Sequence, residues 1–140
     1  MKIRVRSPNL DRVVGHLKAL VTGIPIATKQ SSRIIAEQIL LDSKTKPPMC
    51  PVDTQALEAT GRVEAVREGY AVVYGGAAPG GAFVDYAGYV HDDLRPRRYQ
   101  KPGSGPKFVE AHFISQSETA PVRIAGILEE LASSIISLGR

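Results

Sequence analysis

The chain has 140 residues, a formal net charge of +4 and 43% hydrophobic residues. That suits a single domain, 1–140, with a buried core; it is too apolar for wholesale disorder, and no apolar run is long enough to cross a bilayer. Cys50 is the only cysteine, which excludes an intrachain disulfide or a thiolate zinc site and leaves a neutral thiol tucked between Met49 and Pro51.

Residues Lys2 to Arg6 alternate charge with Ile3 and Val5, the period of a half-buried strand. They offer no signal-peptide core, so synthesis in a cytoplasm is expected. After Ser7-Pro8-Asn9, the residues Leu10, Val13, Val14, Leu17, Leu20 and Val21 recur at helical spacing, and Gly23 and Pro25 are expected to end this first helix. A second helix is predicted from Thr28 to Asp42, with lysines 44 and 46 at its negative end. Pro47, Pro48 and Pro51 then force a corner, which Asp53 and Thr54 can close by hydrogen bonding to nearby backbone.

Beyond the corner, Leu57–Arg67 and Tyr70–Gly75 read as a β-hairpin about a Glu68-Gly69 turn. Ala59, Gly61, Val63 and Ala65 lie on one face, small enough for a helix to approach, while Arg62 and Glu64 face solvent. Gly75 to Gly81 reads as a flexible loop; it lacks the lysine and hydroxyl residue of a phosphate-cradling loop. Phe83 to Val90 brings Tyr86 and Tyr89 close together as strand residues, a pattern of core or interface anchors. His91 to Pro106 carries no secondary-structure signal but holds the basic cluster Arg95, Arg97, Arg98 and Lys101 with Tyr99, continued by Lys107, and it is expected to order on assembly. Lys107 to Ile114, with Phe108, reads as a last strand or short helix. Pro121 then opens a final helix whose stripe is Ile124, Ile127, Leu128, Leu131, Ile135 and Leu138.

Chemistry is sparse. His91, Asp92, Asp93 and His112 have no spacing that would align them on a metal, and Asp53, Asp85 and Glu110 form no acid and base pair. No catalytic constellation, cofactor or metal is therefore expected. One reading open from charge alone is a small nucleic-acid-binding module using Arg95, Arg97, Arg98, Lys101 and Tyr99.

The other rests on order of segments. Pro51-Val52-Asp53-Thr54 and Leu57 follow a long helical region; then come a hairpin, Tyr86-Ala87 and Tyr89-Val90-His91, Lys107-Phe108 and a closing helix. This order resembles the neck or tail-completion family of long-tailed bacteriophages across nearly the whole chain. Gln55 stands where that family usually has glycine, and His91 where it usually has glutamate.

The resemblance implies an α+β fold, a small mostly antiparallel sheet with helices packed on one face and two long projecting loops. It further implies a structural virion protein, not an enzyme. Six copies would form a ring at the head-proximal end of the tail, joining the tail tube protein to the head connector or stopper protein. DNA would pass through the channel without sequence-specific binding, and no membrane would be involved. Tail completion, tail terminator and head stopper remain open alternatives. The subunit contacts expected on this basis are Asp53, Thr54, Tyr86, Tyr89, His91, Arg95, Arg97, Arg98, Tyr99, Lys101, Lys107 and Phe108.

Overall fold

A computed structural model describes residues 8–52 and 55–138. The expected strand at Lys2–Arg6 and the corner residues Asp53 and Thr54 lie outside the described residues. The first element, α1, runs from Pro8 to Thr45 as 38 uninterrupted helical residues, where the sequence predicts two helices broken at Gly23 and Pro25. Pro25 removes the N–H that would bond the Val21 carbonyl, at a cost of about 3 kcal/mol. Val21 is 73% exposed, so water can take that carbonyl and the helix can continue. Gly23 serves close packing here, since a β-carbon on it would stand 3.1 Å from Leu131. The helix ends where the proline pair requires, and the Lys46 N–H closes its last turn on the Asp42 carbonyl at 2.8 Å.

The closing helix follows the same rule. Glu110–Leu138 is one 29-residue helix with Pro121 in its interior, not a short segment followed by a helix that Pro121 opens. The carbonyl that Pro121 leaves without a donor belongs to Ser117, an exposed residue.

The chain divides into two units, residues 1–31 with 121–140 and residues 32–120. In the first, Ala27 and Ser31 of α1 are buried, and the Ser31 hydroxyl donates to the Ala27 carbonyl at 2.7 Å.

The second unit holds the mixed part of an α+β fold that is 58% helical. A single helical turn, α2 (Ala56–Ala59), follows the corner, where the sequence predicts the start of a strand. Burial of Leu57 and the Thr60 hydroxyl fix this turn: the hydroxyl donates to the Leu57 carbonyl at 2.6 Å and accepts the Gly75 N–H at 2.9 Å. Strands β1 (Arg62–Val66) and β2 (Gly69–Val73) pair antiparallel with Val66 opposite Gly69, so the turn is Arg67-Glu68, one residue earlier than predicted. Gly69 belongs to the strand, where its missing side chain makes room for α1; a β-carbon would fall 2.7 Å from Ser32 Oγ. Arg62 and Glu64 face solvent as expected and pair at 2.6 Å.

The glycine-rich stretch is ordered backbone and not a free loop. β3 (Gly76–Ala77) pairs with β4 (Phe83–Val84) as a second two-stranded sheet, and Gly75, Gly76, Gly80 and Gly81 all take positive φ, a region open to residues without a β-carbon. Helix α3 (Ala87–Asp92) follows, so Tyr86 and Tyr89 stand at a helix start and on a helix, not on one strand face. Residues 93–109 contain neither helix nor strand, but Met49 bridges them, donating to Gly103 at 2.9 Å and accepting from Gly105 at 3.1 Å.

The core of this unit is small. Cys50, Leu57, Val84 and Phe108 are buried together, and the Tyr74 ring meets Phe108 edge-on at 5.2 Å. Tyr74 reaches back to α1 through its hydroxyl, 2.7 Å from Ser43 Oγ. Because Ser43 gives its one proton to the Leu40 carbonyl, Tyr74 is the donor in that bond.

Candidate interaction surfaces

The basic cluster is largely tied up within the chain. Asp93, at the end of α3, has a side chain only 7% exposed. It accepts from Arg95 at 2.8 and 3.0 Å and pairs with Arg97. Both guanidinium groups lie over the Tyr89 ring, 5.8 and 5.6 Å from its centre, and both donate to its hydroxyl. The hydrogen bonds from Arg95 hold the Asp93 carboxyl well below the usual carboxylate range. One acid and one aromatic ring thus occupy two of the five cations.

Lys101 is spent on structure as well. Its ammonium donates to the Lys44 carbonyl at 2.9 Å and lies 3.5 Å from Glu58, meeting a carbonyl in the last turn of α1 where the helix dipole favours a cation. Lys107 takes φ 58° and pairs with Asp92 at 2.8 Å and Glu110 at 2.9 Å, which raises its own pKa and lowers that of Asp92. Of the five, Arg98 has no ion-pair partner among the described residues. Tyr99 beside it is half-buried, and Tyr86 is exposed.

Of the expected contact residues, Phe108 is buried and His91 is half-buried. Phe108 is 1% exposed and anchors the core, so it is no interface residue: Tyr74 and His91 cover its ring at 5.2 Å each. The His91 Nε2 accepts the Glu110 N–H at 3.4 Å, and its Nδ1 lies 2.9 Å from Asp92. That assigns the proton to Nδ1 and makes His91 a cap for a first-turn donor of α4. His112, weighed above only as a metal ligand, is buried and locks the proline corner. Its Nε2 lies 2.9 Å from the Lys46 carbonyl and 3.1 Å from that of Pro48; carbonyls only accept, so this nitrogen carries the proton. Among the described residues no three His, Cys, Asp or Glu side chains are grouped to hold a metal. Cys50 is fully buried, and burial pushes its thiol up to about 12.

What the sequence reading missed is the amount of apolar surface left uncovered. In the second unit Phe83 and Leu94 are 72% and 70% exposed. In the first unit Val14, Leu17, Val21 and Ile24 of α1, and Val122 and Ile136 of α4, are all exposed. The signal was present in the spacing. Residues 20, 23, 27 and 31 form the covered seam of α1, whereas 14, 17, 21 and 24 repeat at three and four residues along a second line that a two-helix arrangement leaves bare. No described helix is long and apolar enough to cross a membrane. No protein family, curated protein or solved structure matches the chain.

Proposed function

We propose that this chain is a structural ring subunit of a bacteriophage head-to-tail junction, made in the host cytoplasm and carried in the virion. The observation that carries the reading is the exposed apolar side of both long helices, which a solitary soluble chain has reason to cover. Its supports are the order of sequence segments noted above and the internal neutralisation of the basic cluster. A subunit lining or flanking a DNA channel has to let DNA slide, and cations already paired with Asp93, Glu58 and Asp92 grip phosphate weakly. The partners in this reading are further copies in a six-membered ring, the tail tube on one side and the head connector or stopper on the other.

Gold-conjugated antibody against the chain, applied to purified particles from its source and viewed by electron microscopy, tests the assignment. Label confined to the head-to-tail junction is the expected result. Particles that lack the chain would sink it and leave the nucleic-acid-binding reading, whose mark is affinity falling steeply with salt.

A further inference from the structure

In the first unit, residues 8–31 of α1 carry Asp11, Arg12, Lys18 and Lys29, a basic excess, while residues 121–138 of α4 carry Arg123, Glu129 and Glu130, an acidic one. Lys18, Glu129 and Glu130 have no ion-pair partner among the described residues; the pairs Arg33–Glu37 and Lys46–Asp42, like those described above, belong to the second unit. Each charge sits beside an apolar line. On α1, Val14, Leu17, Val21 and Ile24 fall within about 80° of arc at the helical period and span about 15 Å. An open groove of about 430 Å³ runs along this line, between Val14, Leu17, Lys18, Val21 and Thr22. On α4, Val122 and Ile136 stand at either end of an exposed side whose middle is Ala125, Gly126 and Glu129. A β-carbon at Gly126 would meet nothing within 4 Å, so that middle is a shallow seat.

We infer that the α1 line of one copy docks on the outer side of α4 of the next copy, with Lys18 against Glu129 and Glu130. The inference rests on the ring reading and names its contact. Leu17 and Val21 are the side chains sized for the seat at Ala125 and Gly126. Lys18 lies near the middle of its line and Glu129 midway between Val122 and Ile136, so the opposite charges meet whichever way the two helices run. Charge also decides against the symmetric alternatives. Pairing α1 with α1 sets Lys18 near Lys18, pairing α4 with α4 sets glutamates near glutamates, and both leave the opposite charge unused. A contact between two different surfaces closes into a ring when its rotation allows.

The test is charge reversal read by native mass spectrometry and light scattering on the full chain. Lys18→Glu alone, and Glu129→Lys with Glu130→Lys, should each weaken assembly at least about tenfold, since like charges then face each other. The variant carrying all three substitutions should recover it. Circular dichroism verifies that all remain helical. A Leu17→Cys/Gly126→Cys chain should oxidise to a ladder of dimers, trimers and higher species, while Leu17→Cys alone should not crosslink; Cys50, fully buried, stays out of the reaction. Wild-type-like assembly of the one-sided variants, failure of the triple variant to recover, or efficient dimers from Leu17→Cys alone would each overturn the contact, and none of them bears on where antibody-gold places the chain. A wild-type chain that stays monomeric at hundreds of micromolar overturns it too.

Discussion

Single residues in the second unit are held by specific partners. Cys50 sits among Leu57, Val84 and Phe108, and its proton is held more tightly in the native chain than in the unfolded one. Its contribution is therefore complete below about pH 9 and is lost as pH climbs toward 12. Tyr74, raised by burial, acts in the same direction. Urea unfolding followed by circular dichroism should show stability falling between pH 8 and pH 10.5, with Cys50 accounting for about 2 kcal/mol of the loss. Cys50→Ala should start lower at pH 8 for want of packing and fall less steeply above it. Equal slopes in the two chains would show that the thiol titrates as freely native as unfolded. The sequence disclosed a neutral, tucked-in Cys50 directly, because proline on one side and methionine on the other leave it little else to do. It did not disclose Phe108 as the core anchor or His112 as the lock on the corner, since both depend on partners distant in the chain: Cys50, Leu57 and Tyr74 for Phe108, the Lys46 and Pro48 carbonyls for His112.

At the scale of elements, the two prolines inside long helices explain most of the differences between reading and structure. A proline in a periodic apolar pattern ordinarily marks a helix end, and that rule produced a false break at Pro25 and a false start at Pro121. It failed because the freed carbonyls belong to exposed Val21 and Ser117, and because a helix of this length spreads one local cost over many packed residues. Pro25→Ala and Pro121→Ala should each raise thermal stability, by up to about 3 kcal/mol, by restoring the missing bond. A lower melting temperature in either variant would argue that the proline shapes the helix for its packing. The hairpin of β1 and β2 was legible from alternation alone, but its turn was displaced by one residue. Gly69 looked like a turn glycine and is instead the place where Ser32 passes close. Period reveals a strand; it says nothing about which neighbour demands a glycine.

For the molecule as a whole, the net charge of +4 overstates what a polyanion would meet. Asp93→Asn should release Arg95 and Arg97 together from their shared acid and raise the salt-sensitive affinity of the chain for duplex DNA above that of the wild type, measurable by fluorescence anisotropy at two salt concentrations. Identical weak binding by both chains would show that Tyr89 alone is enough to hold the two guanidiniums. Residue pattern carried the α+β class. It did not carry the distribution of charge into pairs, because Asp93 and Tyr89 draw in Arg95 and Arg97 only after α3 has formed. Nor did the spacing that holds both apolar lines of α1 tell which of them has an internal partner.

The lock that His112 places on the Lys46 and Pro48 carbonyls joins positions 66 and 64 residues apart. On a ribosome adding roughly 5–20 residues per second, the corner waits on the order of 3–13 s for the side chain that fastens it. Throughout that interval the α1 segment is already made, with its apolar lines bare and α4 not yet synthesised. The nascent chain is therefore most prone to premature association, or to capture by a chaperone, through the same helix face inferred to join finished subunits.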